Sequence, residues 1–521
     1  MRLPLDGAHW IDHVGRHAFA TPDGVAIRFN GDSITWAQLD DRLHRVAAGL
    51  ASRGVSKGDR VAILMTNRPE FVEIALAANA IGAIGVPLNF RLAPEEVAYI
   101  LGDSGSTVVV TDLLLHPLAT AAIASLGEPP LLVVAGLDSA ADGGAIAYDV
   151  LLADEPHEPA FIDERDVALI MYTSGTTGRP KGAMLTHLNL LMQSITSIRT
   201  SRIQGDDVVT LCNVPLFHIA GIGGMPVSLL VGAKTVIMPT GLFDAESTLE
   251  VVETEKVTSL FLVPAQWQVM CAHPDATRRC ASLRTIAWGA APASVKLLED
   301  MARVFPHTEI ISVFGQTEMS PVTTSLPGAE AVRKIGSIGK VIPTIVARIV
   351  DDEMNDVKPG EVGEIVYRGP TLMVGYWNAP EATAEAYAGG WFHSGDLVRE
   401  DEDGFLYVVD RKKDMIISGG ENIYCAEVEN VLASHPGIAE VAIIGAPHDK
   451  WGETPVAVVV AVDASAAPTL EDIVEFSRDR LASYKKPTVV VLVEALPRNA
   501  SGKVLKHELR TRYAKGELTS S

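Results

Sequence analysis

Between Tyr172 and Gly182 the chain reads Tyr-Thr-Ser-Gly-Thr-Thr-Gly-Arg-Pro-Lys-Gly, residue types suited to holding an anion. Glycines let backbone N–H groups approach a phosphate closely, the hydroxyls of Thr173, Ser174, Thr176 and Thr177 add donors, and Lys181 supplies positive charge. The stretch is not a Walker A sequence, which needs four residues between its first glycine and a Gly-Lys pair. Here Gly175 and Gly178 are separated by two residues and Lys181 comes later, so a different nucleotide fold is implied. Taken alone, such a loop is also compatible with a surface turn. The apolar run Val167 to Met171 just before it reads as a buried strand, which puts the loop at a strand's carboxyl end.

The elements that must position this loop alternate along the chain. Leu39, Leu43, Val46, Ala47 and Leu50 recur at spacings of three and four, which predicts a helix ended by Gly54. Strands are expected at 59–65, 86–89 and 107–110, with helices at 69–80 and 94–101 between them. Residues 113–163, rich in Ala, Gly, Pro and acidic residues, read as a strand and loops. Beyond the loop, a helix is expected over 186–198 with Thr186 able to cap it, then strands at 232–238 and 259–264, and the segments 286–292 and 311–318 read as strands that run out into short polar or glycine turns. The alternation predicts an α/β layered fold built on parallel sheet.

A chain of 521 residues with 47% hydrophobic content can bury large cores and divide into more than one domain. Its net charge of -22 argues against a general affinity for nucleic acid or anionic membrane, so an anionic substrate must be met by local positive charge and N–H groups. Cys212, Cys271, Cys280 and Cys425 show no Cys-x-x-Cys spacing and no accompanying His pair, and are expected to be reduced, inert thiols of a cytoplasmic protein. Met1 to Trp10 carries Asp6 and His9 rather than an apolar core, no apolar run reaches about eighteen residues, and the final Leu-Thr-Ser-Ser is not a Ser-Lys-Leu address. Neither a secretory signal nor an integral membrane segment is expected.

The Tyr172–Gly182 stretch resembles the phosphate-loop signature of the adenylate-forming superfamily, which includes acyl-CoA synthetases, firefly luciferases and the adenylation domains of peptide synthetases. Further stretches carry the resemblance in the family's order: Asn213 to Gly221, Ile286 to Pro292, Ile311 to Glu318, Trp391 to Leu397, Asp410 to Asp414, Ser418 to Asn422 and Pro497 to Leu505. It covers nearly the whole chain. The implied fold is α/β, a large N-terminal domain of layered α/β subdomains over 1–410 and a smaller, mobile α+β C-terminal domain over 411–521. In that small domain the sequence predicts helices at 426–434 and 470–481 and strands at 440–445, 454–462 and 488–493.

The resemblance also implies roles. Thr173, Ser174, Gly175, Thr176, Thr177, Gly178 and Lys181 hold phosphates, Gly289, Ala290 and Ala291 pass along the adenine, and Phe314 stacks on it within Phe314-Gly315-Gln316-Thr317. Glu318, with Thr173, holds magnesium, because Mg²⁺ favours one or two carboxylates plus phosphate oxygens. Asp396 accepts from the ribose hydroxyls, Arg411 reaches ribose or phosphate, and Lys413 is the position about which the C-terminal domain turns. Ser418, Gly419 and Gly420 lie against the pantetheine of CoA, although some aromatic-acid ligases of the family carry lysines where this chain has Ile417 and Gly419. Lys503 resembles the lysine that bridges the attacking carboxylate and the α-phosphate. With Glu318 and His218 it makes up the catalytic set.

Asn213 to Gly221 corresponds to the segment lining the family's carboxylic-acid pocket. Amino-acid-activating members usually carry an aspartate where this chain has His218, and burying an ammonium without a counter-charge costs several kcal/mol, so an amino-acid substrate is disfavoured. A hydrogen-bonded core histidine is the alternative reading of His218. Leu216, Phe217, Ile219, Ile222 and Met225 make the strip apolar while Gly221, Gly223 and Gly224 leave it open. The expectation is an ATP-dependent carboxylate–CoA ligase acting on a medium- or long-chain fatty acid, with an aromatic acid as the alternative and a non-catalytic acyl-binding protein as the reading from another class. Its partners would be the acid, ATP and CoA, and a homodimer is compatible with the resemblance.

Overall fold

The computed structural model describes residues 7–137, 144–157, 160–173, 179–203, 205–289, 291, 293–418, 421–478, 480–498 and 503–518. The chain forms two compact units, Met1–Val346 with Arg368–Phe392, and Ala347–Tyr367 with His393–Ser521. Among the described residues no helix is long and apolar enough to cross a membrane.

The first unit holds two sheets. In the seven-stranded sheet the order is Ile146–Ala147, Leu131–Ala135, Val108–Asp112, Arg60–Leu64, Ile84–Pro87, Val167–Thr173 and Lys181–Thr186. Every pairing is parallel except the last, where Val167–Thr173 and Lys181–Thr186 form an antiparallel hairpin. The inner strands read as unbroken apolar runs, as strands covered on both faces must. The helix Pro69–Ala80 is buried on all sides, which explains why its sequence shows no polar face. The helix Trp36–Ala51 opens on a capping box: Gln38 N–H donates to Thr35 Oγ1 at 3.2 Å and Thr35 N–H to Gln38 Oε1 at 2.9 Å. Its buried face includes the expected Leu39, Leu43, Val46, Ala47 and Leu50.

The nine-stranded sheet runs Lys340–Val341, Val322–Pro327, Glu309–Gly315, Thr285–Trp288, Ser259–Leu262, Val209–Cys212, Lys234–Ile237, Val25–Phe29 and Asp32–Thr35. From Glu309–Gly315 to Val25–Phe29 all neighbours are parallel, and the flanking strands are antiparallel. Parallel sheet therefore forms the centre, as the alternation predicted, while the edges close through antiparallel pairs, which need no crossover helix. The helix His116–Ile123 is an addition to the sequence reading of 113–163.

In the second unit a four-stranded sheet orders Val346–Val350, Val362–Arg368, Phe392–Glu400 and Leu406–Arg411. A five-stranded sheet orders Glu421–Ile423, Ile416–Ser418, Gly452–Ala461 and Ile438–His448, with Val489–Leu492 also pairing Gly452–Ala461. Its side chains alternate between two cores. Ile443, Ala457, Val459 and Val490 pack with Val428 and Leu432 of the helix Cys425–Leu432 and Ile473 of the helix Leu470–Phe476. Ala442, Ile444, Val456, Val458 and Val491 pack with Leu509 of the helix Lys506–Ala514. That last helix was not expected, and the one expected over 470–481 stops at Phe476.

All four cysteines are free thiols. Burial pushes Cys212, Cys280 and Cys425 up to about 12 and Cys271 up to about 11.

Candidate active site

The glycine- and hydroxyl-rich stretch lies in sequence between the two strands of the hairpin that ends the seven-stranded sheet, with Thr173 and Lys181 directly opposite each other in its register. Ser174, Gly175, Thr176, Thr177 and Gly178, together with Ala290, Gly419 and Gly420, lie outside the described residues. The stem is fixed from the side. Tyr172 donates its O–H to Asp103 Oδ2 at 2.5 Å, and Trp377 Nε1 and Asn378 Nδ2 donate to Asp103 O at 3.1 and 2.9 Å.

Glu318 arrives from the other sheet. The strand Glu309–Gly315 runs out through Gly315 and Gln316 into a short turn, Thr317–Met319. Gln316 N–H donates to Pro321 O at 2.9 Å, and a Cβ on Gly315 would sit 1.9 Å from that same oxygen, so no side chain fits at this position. The neighbouring parallel strand Thr285–Trp288 runs out at Gly289, where a Cβ would meet Val313 O at 2.5 Å. Both glycine turns thus leave the carboxyl ends of adjacent parallel strands, where open α/β sheets place ligands. Phe314 is half-buried at the end of the strand, and Ala291 is exposed.

The structure brings Thr173, Lys181 and Glu318 together, and adds a residue that the sequence reading missed. Thr173 Oγ1 donates to Glu318 Oε1 at 3.3 Å, and Tyr376 donates its O–H to the same oxygen at 3.0 Å. Tyr376 reaches it because residues 373–377 run along the hairpin: Met184 N–H donates to Gly375 O at 2.9 Å, Trp377 N–H to Gly182 O at 2.7 Å, and Met373 N–H to Glu318 O at 2.8 Å. Lys181 Nζ lies 5.4 Å from the centre of the Tyr376 ring. Burial and the Glu318 carboxylate push the Tyr376 phenol well above its ordinary value, so it stays a donor.

His218 caps the short helix Ile219–Ile222, its Nδ1 accepting from Ala220 N–H at 3.1 Å. Burial lowers its pKa, so the ring is neutral at pH 7 with its proton on Nε2. Phe217 meets Phe90 edge-to-face with centroids 5.0 Å apart. Asn67, also missed from sequence, holds this segment in place: its Nδ2 donates to Val214 O at 2.9 Å and its Oδ1 accepts from Leu216 N–H at 2.8 Å.

In the second unit Asp396 and Arg411 are register partners on adjacent antiparallel strands, and Arg411 Nε pairs with Asp396 Oδ1 at 2.8 Å. Asp396 is 2% exposed, so this pair fixes a desolvated carboxylate. Lys412 turns elsewhere, to Asp352 at 2.8 Å and Glu364 at 3.2 Å. Surrounding protein lowers the pKa of Lys413, and Arg411 and Arg510 add to this. Lys503 is lowered too, first by desolvation of its ammonium and then by the cations of Arg411 and Lys413, with Asp396 and Asp414 opposing. Arg411, Lys413, Asp396 and Lys503 therefore share one electrostatic neighbourhood. Ser418 ends one arm of a small hairpin, opposite Glu421.

Among the described residues no group of three or more His, Cys, Asp and Glu could hold a metal ion. A magnesium here would rest on a lone carboxylate completed by phosphate oxygens, a donor set this ion accepts. Glu318 fits: it is 8% exposed, and both of its described side-chain hydrogen bonds fall on Oε1.

Residues 14–377 match the family of AMP-binding enzymes, and residues 427–503 match the AMP-binding enzyme C-terminal domain. The chain is a member of the AMP-binding enzyme family. This AMP-binding enzyme is 42% identical over 507 residues to a feruloyl-CoA synthase of an Amycolatopsis species, covering 96% of this chain and 98% of that protein. It is 38% identical over 484 residues to the long-chain-fatty-acid–CoA ligase FadD13 of Mycobacterium tuberculosis, covering 92% and 93%. Among solved structures it is similar to the O-succinylbenzoate coenzyme A synthetase MenE of Bacillus subtilis in complex with ATP and magnesium ion, with a TM-score of 0.82 and 32% identity over 95% of this chain and 98% of that one. The AMP-binding enzyme described here is an ATP-dependent, AMP-forming acid–thiol ligase that uses ATP, Mg²⁺ and CoA.

Proposed function

We propose that this ligase activates an aromatic carboxylic acid, joining it to AMP with release of pyrophosphate and then to the CoA thiol with release of AMP. The observation that carries the reading is the edge-to-face pair of Phe217 and Phe90 next in sequence to the neutral, half-buried His218. An aromatic wall receives an aryl ring with favourable offset or edge geometry, and His218 offers it a neutral N–H donor instead of a charge. The relative whose name specifies feruloyl-CoA supports this choice. The fatty acid expected from the sequence is the second reading, supported by the buried strip Leu216, Ile219, Ile222 and Met225 and by the long-chain-fatty-acid ligase relative. Acid-dependent pyrophosphate release across a panel separates them. Hydroxycinnamic and other aryl acids should exceed eight- to sixteen-carbon fatty acids in kcat/KM by about tenfold or more, a margin that pocket fit can supply. The reverse order establishes the fatty acid and discards the aromatic one.

In this reading the phosphate loop and Lys181 hold the phosphates of ATP, while Gly289, Ala290 and Ala291 flank the adenine and Phe314 stacks on it. Glu318, with Thr173, is the magnesium carboxylate. The ion offsets charge on the phosphate oxygens as pyrophosphate leaves. Asp396, fixed by Arg411, accepts from the ribose hydroxyls. Lys503 stabilises charge where the acid's carboxylate meets the α-phosphate, and Ser418, Gly419 and Gly420 accommodate pantetheine. Support for these roles comes from the bond of Thr173, the register partner of Lys181, to Glu318 in one unit and from the charges of Arg411 and Lys413 acting on Lys503 in the other.

The functional boundary is placed at 410/411, with rotation about Lys413 exchanging an arrangement for adenylation with one for thioester formation. Proline at 413 fixes φ near -65° and removes an N–H, so it traps one arrangement. Lys413→Pro should leave acyl-AMP formation within about twofold of the parent and slow thioester formation by roughly a hundredfold. Equal losses in both half-reactions by folded protein would move the hinge elsewhere.

A further inference from the structure

Two hydroxyls meet on a single oxygen of Glu318, and they come from different parts of the chain. Thr173 ends the strand that leads into the phosphate loop, whereas Tyr376 lies 58 residues beyond Glu318. A glutamate side chain has three rotatable bonds, the last of which turns the carboxylate, so without partners its oxygens sample many orientations. Two donors on Oε1 remove that freedom and leave Oε2 without a hydrogen bond among the described residues.

The residue that makes the shorter bond is itself held through its backbone and its neighbour. Tyr376 bridges Ala183 as an antiparallel pair, and its N–H donates to Thr383 Oγ1 at 2.9 Å. The next residue, Trp377, is pinned by Gly182 O, by Asp103 O and by the Arg60 guanidinium 5.3 Å over its ring. The Tyr376 ring in turn faces Lys181 Nζ. One side chain therefore touches both the cation of the phosphate loop and the carboxylate of the opposite sheet.

We propose that Tyr376 is a positioning residue for adenylation: its O–H, together with Thr173, occupies Glu318 Oε1 and presents Oε2 as the oxygen available to magnesium. The inference rests on the reading of Glu318 as the magnesium carboxylate. Partners that orient a metal-binding carboxylate typically matter by 10- to 100-fold in metal affinity.

The test uses the full chain and compares Tyr376→Phe, which keeps the ring over Lys181, with Glu318→Ala. Binding of Mn²⁺ in the presence of a non-hydrolysable ATP analogue is measured by electron paramagnetic resonance. The half-saturating Mg²⁺ for pyrophosphate release and the rate of thioester formation from pre-made acyl-AMP are measured alongside. Tyr376→Phe should weaken Mn²⁺ binding and raise the half-saturating Mg²⁺ by about tenfold, with thioester formation unchanged. Parent-like Mn²⁺ affinity in Tyr376→Phe together with its loss in Glu318→Ala overturns the role of Tyr376 and leaves that of Glu318 standing. Parent-like affinity in both variants overturns the magnesium reading, and this inference falls with it. A thioester step slowed as much as adenylation also overturns the proposal, since a damaged fold and not a misplaced carboxylate would then explain the loss.

Discussion

Glu318→Ala is expected to lower acid-dependent pyrophosphate release by about a thousandfold, the scale on which removal of one group aimed at developing charge acts. The same protein should still convert pre-made acyl-AMP and CoA to thioester near the parent rate, because only the ATP half-reaction needs the metal. Geometry makes the substitution clean in one respect and costly in another. The backbone of Glu318 stays anchored through the bond from Met373 N–H, so the turn should survive. Losing the carboxylate leaves the Tyr376 hydroxyl without its acceptor, while Thr173 Oγ1 keeps only its long bond to Lys181 O at 3.5 Å, at a cost of about 1–3 kcal/mol in stability. Glu318→Gln, which keeps an acceptor for both hydroxyls but no charge, should recover that stability and none of the adenylation. Small, equal effects on the two half-reactions would sink the assignment.

Lys503→Ala should lower adenylation by a factor of roughly 10² to 10³ and leave thioester formation from acyl-AMP within about twofold of the parent, since its cation serves the first transition state alone. The electrostatics add a pH signature. Lys503 is held below the ordinary lysine value of 10.5 by desolvation and by Arg411 and Lys413. A group with a lowered pKa is charged below that pKa and loses its proton as pH rises through it. Adenylation by the parent should therefore decline on an alkaline limb that sets in below pH 10.5, and Lys503→Ala should flatten this limb. An alkaline limb of unchanged shape in the variant assigns the titration to another group and removes Lys503 from the transition state.

The candidate site residues that could be named from the sequence are those written in consecutive residues. The glycine and hydroxyl composition of 172–182 suggests an anion-holding loop without reference to anything distant, and Glu318 stands out from its place in an ordered series of motifs. Tyr376, Asn67 and Asp103 escaped because each acts on a partner far along the chain: Asn67 on Val214 and Leu216, Asp103 on Tyr172 and Trp377, Tyr376 on Glu318. Nothing local distinguishes them from an ordinary surface polar group or turn aromatic. Two of the missed helices have a different cause. His116–Ile123 buries only Ala119 and Ala122, and Lys506–Ala514 buries only Leu509, so neither writes an apolar stripe into its sequence. Central strands were legible from apolar runs, but whether an edge strand pairs parallel or antiparallel is decided by its connection, not by its residues.

An acyl-adenylate is a strong acylating agent, and this enzyme makes one inside a protein that has four thiols of its own. Acyl transfer to sulfur needs the thiolate, and with values of about 11 to 12 fewer than roughly one in a thousand of these cysteines carries that charge at pH 7.5. The sulfur of CoA, an ordinary solvated thiol, ionises far more readily. Burial of Cys212, Cys280 and Cys425 and the partial burial of Cys271 thus act as a chemical filter: the protein's own sulfurs are kept from competing with the CoA thiol for the activated acid.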